Sequence, residues 1–138
     1  MQIRAFQTAD TDAVIALWHA CGLVRPWNDP YKDIARKTKV QPELFLVGEL
    51  DGAIIATAMG GYDGHRGFVY YMAVSPAHQG KRYGAKLLGQ LESMLSAMGC
   101  PKINLMVRAG NPVAEFYNSL GYTQETSACY GKRLIPDI

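Results

Sequence analysis

The stretch Val74-Ser75-Pro76-Ala77-His78-Gln79-Gly80-Lys81-Arg82-Tyr83-Gly84-Ala85-Lys86-Leu87-Leu88 passes from an apolar strand through a glycine-bearing turn into an amphipathic helix. A helix leaves its first N–H groups without internal partners, and its aligned peptide dipoles place about half a positive charge at that end. A diphosphate satisfies both. Glycine lets the backbone approach an anion closely, and Lys81 and Arg82 bring full positive charges to the same corner. Such a turn also occurs for geometric reasons alone, so its meaning rests on the chain around it. A P-loop is disfavoured because no Gly-Lys-Ser/Thr follows. A dinucleotide fingerprint is disfavoured because Gly-x-Gly-x-x-Gly is absent and the preceding strand is not N-terminal.

Working outward, Phe68-Val69-Tyr70-Tyr71-Met72-Ala73-Val74 is continuously apolar, which predicts a strand covered on both faces and central in its sheet. From Tyr83 onward, Leu87, Leu88, Leu91, Leu95 and Met98 recur at helical spacing until Gly99 and Pro101 stop the helix. Ile103, Leu105 and Val107 then alternate as a strand, closing a parallel βαβ crossover. Upstream, Ile3 to Phe6 reads as a short strand, and Thr8 or Asp10 can cap a helix whose Val14, Leu17, Trp18 and Cys21 share a face before Gly22. Asp29 or Pro30 opens a basic helix through Arg36, Lys37 and Lys39. Leu44 to Leu50 and Ala53 to Gly60 are strands joined by Asp51-Gly52, a two-residue hairpin turn. Downstream, a short helix from Pro112 to Leu120 precedes an expected hairpin between Tyr122 and Leu134. The order is β-α-α-β-β-β-α-β-α-β-β, with no repeat or linker, so residues 1–138 are expected to form a single domain.

The 138 residues carry a net charge of +2, too mild for the dense basic stripe of a nucleic-acid binder. Cys21, Cys100 and Cys129 are scattered without CxxC spacing, which supports neither a disulfide framework nor a zinc site, and no metal is expected. No apolar block of signal-peptide or membrane-spanning type is present, so a cytoplasmic protein without membrane or nucleic-acid partners is expected.

The turn resembles motif A of the GNAT superfamily of acyl-CoA-dependent N-acetyltransferases, Arg/Gln-x-x-Gly-x-Gly/Ala. Gln79, Gly80 and Gly84 match, while Arg82 stands at the middle glycine. A positive φ is costly for arginine, so Arg82 is expected to keep helical geometry. Val74-Ser75-Pro76 resembles the Val-x-Pro that ends the family's fourth strand. Asn111-Pro112-Val113-Ala114-Glu115-Phe116-Tyr117-Asn118-Ser119-Leu120-Gly121-Tyr122 resembles motif B, with the Tyr117 to Gly121 spacing intact and Asn111 one residue closer to Tyr117 than usual. The stretches from Leu23 to Pro30 and from Gly60 to Gly67 are similar to those of the small YpeA-type bacterial acetyltransferases.

The resemblance implies an α/β (α+β) GNAT fold, a mixed sheet of six to seven strands with a splayed central pair and about four helices. It implies acetyl-CoA as co-substrate and direct attack of an amine, on a small molecule or a protein, in a ternary complex. The amides of Gly80, Lys81, Arg82, Tyr83 and Gly84 would then hold the pyrophosphate, and an aspartate at Gly84 is expected to crowd and repel it. Met72, Ala73 and Val74 would pair with pantetheine from a bulged strand, an N–H of Met72 or Ala73 polarising the thioester carbonyl. Asn111 would reach the pantetheine or phosphate arm, and Tyr117 would stand beside the sulfur as proton donor or hydrogen-bonding partner.

An ordinary alkyl ammonium is neutral in about one molecule per thousand at pH 7, so a base is useful, and Glu49, Asp63 and His65 are candidates. Trp27 offers the acceptor an aromatic wall, and Asp29 or Asp63 could bind a cationic amine, although Asp29 could equally be a helix cap. The run Arg36, Lys37, Lys39 reads as a solvated helix face, with a CoA phosphate or an acidic acceptor as alternative users. A non-catalytic acyl-CoA sensor of the same fold is the main rival to an enzyme, and monomer and homodimer are both compatible with the chain.

Overall fold

The computed structural model describes residues 1–137. Its strands are β1 (Gln2–Ala5), β2 (Phe45–Leu50), β3 (Ala53–Tyr62), β4 (Gly67–Val74) and β5 (Ile103–Leu105), and its α-helices are α1 (Thr11–Ala20), α2 (Pro30–Lys37), α3 (Tyr83–Ala97) and α4 (Ala114–Ser119). The strands form one sheet in the order β1-β2-β3-β4-β5, antiparallel except for the parallel β4–β5 pair. Local chemistry sets several boundaries. Asp51 and Gly52 both take positive φ, 51° and 81°, as the tight turn between β2 and β3 requires. Asp29 caps α2, its Oδ1 accepting the Tyr31 amide at 2.9 Å, and Pro30 fills the first helical position.

The sheet separates two cores. On one face Leu87, Leu88 and Leu91 of α3, all 0% exposed, pack on Leu46, Ala56, Ala58 and Val69. Helix α3 lies so close to β3 that Gly60 has no room for a side chain against Leu91. On the other face Val14, Leu17 and Trp18 of α1 and Ile34 of α2 pack on Phe45, Val47, Met59 and Ala73. The switch of neighbours between Phe45, Leu46 and Val47 is the period-two alternation of a strand buried on both sides.

Two expectations need correction. The sheet has five strands among the described residues rather than six to seven, because the segment from Tyr122 to Leu134 forms no hairpin there. That segment lacks a sustained apolar alternation to hold against the sheet, and Tyr130 and Leu134 are exposed. In consequence β4 is not the middle strand: β3 is, and β4 lies one strand from the β5 edge.

The chain end nevertheless returns to the body. Asp137 accepts from Arg36 at 2.6 Å and from the Asp29 amide at 2.8 Å, and Arg133 bonds the Asn28 side chain. Arg36 first, and the Asp29 amide second, hold the Asp137 carboxyl down to about 2. A carboxyl depressed on folding contributes its stabilisation above its ordinary pKa of 3.8 and loses it as pH falls through the folded value. The expected NMR titration midpoint of Asp137 is therefore about 2, with protection of the Asp29 amide lost between that pH and 3.8. A midpoint at 3.8 would mean that the tail does not dock.

Candidate active site

After β4 the chain makes a single 3₁₀ turn (Pro76–His78), swings through Gly80 at φ +80°, and enters α3 from Arg82. Arg82 has φ 65° and ψ 15°, so the expected helical geometry is wrong: the turn demands a left-handed residue where the family pattern has glycine, and arginine adopts it. That conformation costs a non-glycine residue about 1–2 kcal/mol. The first turn of α3 has neither a side-chain cap nor an acidic residue, so no side chain satisfies its amides at the cap position. Gln79 is exposed and donates to the Val74 carbonyl at 3.0 Å, tying the loop to the strand end. Lys81 is exposed, and Tyr83 lies beneath the Lys86 ammonium, 6.0 Å from the ring centre. Gly84 is buried, and a Cβ there would lie 3.2 Å from Phe116 and 3.4 Å from Val74. A side chain at Gly84 therefore crowds Phe116 of α4 and touches Val74 of β4, so a substitution there acts on packing as well as on any anion.

Strand β4 is bulged and then free on one side. Thr57 pairs with Ala73 and Met59 with Tyr70, so Ala58 faces both Tyr71 and Met72. Tyr71 carries the distortion at φ +50°, a conformation that costs such a residue about 1–3 kcal/mol and persists only where its surroundings impose it. They do so from three sides. The Tyr71 ring stacks on Trp18 at 3.7 Å, its hydroxyl donates to Asp33 at 2.6 Å, and its carbonyl accepts from the Thr57 hydroxyl at 2.8 Å. Thr57 in turn accepts from the Trp18 indole at 2.9 Å. Pairing with β5 ends at Val69–Leu105, so Tyr70 to Val74 have no partner strand on that side, the expected splay.

A cavity of about 780 Å³ opens at the splay. Tyr71 and Met72 of the bulge, Leu105 at the end of β5, Asn111 beyond it, and Tyr117 of α4 line it, as do Asp33, Arg36 and Lys37 of α2. Tyr117 is half-buried between Phe116 and Tyr122, whose ring centres lie 5.0 and 5.9 Å away, and burial raises its phenol pKa. Burial lowers the Lys37 ammonium.

The cavity joins some of the residues named from sequence and omits others. Met72, Asn111 and Tyr117 share it; Ala73 and Val74 continue the same strand, with Ala73 buried in the α1 core. Trp27 is 54% exposed at the surface, with Arg108 over its ring at 5.8 Å. The Asp29 carboxylate is occupied as a helix cap, and Asp63 accepts the His65 and Arg66 amides at 2.8 Å in the β3–β4 turn. Those two amides lower the Asp63 pKa, which suits a turn and not a base. Glu49 pairs with Arg4 at 3.2 Å. None of Glu49, Asp63 and His65 lines the cavity.

Sequence reasoning offers Arg36 and Lys37 to a CoA phosphate or an acidic acceptor only as the alternative to a solvated face, and it does not name Asp33 beside them. Asp33, Arg36 and Lys37 lie three and four residues apart, the spacing of one helical face, and that face meets the bulge through the Asp33–Tyr71 bond. The spacing was available; its direction was not.

The comparisons with known proteins agree with this architecture. The acetyltransferase (GNAT) family model matches residues 11–122. An acetyltransferase of Yersinia enterocolitica is 51% identical over 138 residues, covering 99% of this chain and 98% of that protein. The ribosomal-protein-S18-alanine N-acetyltransferase of Escherichia coli superposes with a TM-score of 0.74 at 25% identity, over 91% of this chain and 79% of that one. The N-acetylglutamate synthase of Neisseria gonorrhoeae, solved with coenzyme A and L-arginine, has the same fold, with a TM-score of 0.73 at 19% identity over 91% of this chain and 28% of its own. With its splayed sheet, bulged strand and uncapped helix start, the chain belongs to the acetyltransferase (GNAT) family.

Proposed function

We propose that residues 1–138 act as one acetyl-CoA-dependent N-acetyltransferase domain in the cytoplasm, moving the acetyl group directly to an amine in a ternary complex. The observation that carries this reading is a single cavity linking the bulged, unpartnered stretch of β4 to Tyr117. Acetyl-CoA runs from this cavity along β4 to the start of α3: pantetheine pairs with the free edge at Met72, Ala73 and Val74, and the pyrophosphate meets the amides of Gly80 to Gly84, which lie outside the cavity lining. Asn111 borders the same arm. The amine nitrogen attacks the thioester carbon while an N–H of Met72 or Ala73 stabilises the developing oxyanion, a contact whose loss typically costs about 3 kcal/mol. The carbon–sulfur bond then breaks, the thiolate leaves beside the Tyr117 hydroxyl, and the ammonium gives up its proton to water. Asp29 and Asp63, each engaged in local structure, are not needed to hold the acceptor.

The test is CoA release from acetyl-CoA over a broad panel of amines, paired with calorimetry of acetyl-CoA binding. Release that depends on the amine is expected. Binding without release for any amine would favour a sensor, and ATP binding as well as CoA would point to an adenine-nucleotide module. Arg82 in the glycine conformation removes one reason to prefer the sensor.

A further inference from the structure

The wall of the cavity is unevenly charged. Arg36, Lys37 and Arg108 line it against a single carboxylate, Asp33. Asp33 is already committed, accepting from Tyr71 at 2.6 Å and pairing with Arg36 at 3.1 Å. Arg36 is committed too, through Asp33 and Asp137. Lys37 and Arg108, in contrast, have no ion pair among the described residues. The Lys37 side chain lies near Gly61, whose Cβ position is 3.8 Å from its Nζ, at the end of β3 beside the cavity. Glu43 acts on it only from beyond ion-pairing range. Arg108 stands over Trp27, and its charge is felt at the Tyr71 hydroxyl.

These cations lie away from the pyrophosphate loop. Helix α2 packs on the α1 face of the sheet, whereas α3, whose first turn would hold the phosphates, packs on the opposite face. Charges on the α2 side therefore face whatever meets the thioester from beyond the bulge. Resting on the acetyltransferase reading, we infer that the acceptor is a small primary amine bearing an anionic group, a carboxylate or a phosphate, held by Lys37 and Arg108.

Three physical consequences agree. No uncommitted carboxylate lines the cavity to receive a second ammonium, so a polycationic acceptor meets repulsion without a partner. Fixed cations near the amine favour its neutral, nucleophilic form, easing the proton loss that attack requires. The cavity of about 780 Å³ must also hold the pantetheine end, so the part of the acceptor that enters it is small.

The experiment uses matched probes with the full chain: alanine against alaninamide, O-phosphoethanolamine against ethanolamine, with spermidine as the polycation and an acidic peptide with a free amino terminus. The readout is kcat/KM for CoA release. A charge-assisted bond predicts that each acid exceeds its neutral partner by about tenfold or more. Lys37→Gln and Arg108→Gln are each expected to lower that ratio by about tenfold, while Lys39→Gln, exposed and outside the cavity, leaves it unchanged. Preference for the neutral probes, spermidine or the peptide overturns the inference, as does a ratio that neither variant moves. If no probe is turned over, calorimetry of the acids and amides on CoA-loaded protein decides, equal affinity overturning it. Failure of acetyl-CoA itself to bind defeats the enzyme reading and the inference together; acetyl-CoA binding without acid preference defeats the inference alone.

Discussion

Tyr117→Phe is expected to lower kcat by about a hundredfold while acetyl-CoA affinity changes by less than about twofold. The substitution keeps the ring, and with it the edge-on contacts to Phe116 at 5.0 Å and Tyr122 at 5.9 Å, so packing of α4 survives. Only the hydroxyl is lost. Its role follows from relative acidities. Burial raises the Tyr117 phenol above its ordinary value of 10.0, whereas a thiol ionises near 8.5. Complete transfer of the phenolic proton to a departing thiolate is therefore uphill, and the hydroxyl serves best as a hydrogen-bond donor to sulfur as charge develops there. The same shift fixes the pH behaviour. A phenol with a raised pKa remains a donor throughout the neutral range, so any loss of rate from its ionisation belongs above pH 10.0. Stopped-flow or steady-state rates with parallel calorimetry check the prediction. An unchanged kcat would reduce Tyr117 to a packing residue, and an equal loss of affinity and rate would mean that the phenylalanine had disturbed the cavity.

Much of the scaffold is legible in residue chemistry because the deciding interactions are local. The leucine period from Tyr83 predicts α3, Gly99 at φ +86° ends it, and the Asp51-Gly52 turn forms as its composition requires. Asp29 before Pro30 does what a cap residue does. The features that shape the cavity are non-local and leave weaker traces. Nothing in a tyrosine announces a positive φ; Tyr71 adopts it because Trp18, Thr57 and Asp33, distant in sequence, converge on it. The bulge is an expectation of the family resemblance alone. Arg82 shows the opposite failure, a sound local argument against a left-handed arginine overruled by the geometry of the turn. From sequence the α2 cations read as a solvated face, with a CoA phosphate or an acidic acceptor as alternatives, because a charged helical face usually is solvated; only the packing of Ile34 into the α1 core shows which way the helix is turned.

The convergence on Tyr71 leads to the largest expected effect on stability. Trp18 is 0% exposed, stacks on Tyr71 at 3.7 Å and donates its indole N–H to Thr57, also 0% exposed, at 2.9 Å. Trp18→Ala opens a cavity in the α1 core and is expected to cost about 3–5 kcal/mol, a large share of the about 5–15 kcal/mol that a domain possesses. Chemical denaturation should show it as a lower midpoint at unchanged slope. Thr57→Val separates packing from hydrogen bonding at the same place. It preserves shape but leaves the Trp18 indole without an acceptor, costing about 1–3 kcal/mol. It also releases the Tyr71 carbonyl, one of the three restraints on the strained residue. Activity should therefore fall further for Thr57→Val than its modest destabilisation accounts for, when measured well below its melting temperature. Thr57→Ser, which restores the hydroxyl, should recover most of it. If Thr57→Val retains full activity, or if serine and valine behave alike, the hydroxyl does not hold the bulge, and the conformation of Tyr71 must be secured by its ring stack and its bond to Asp33.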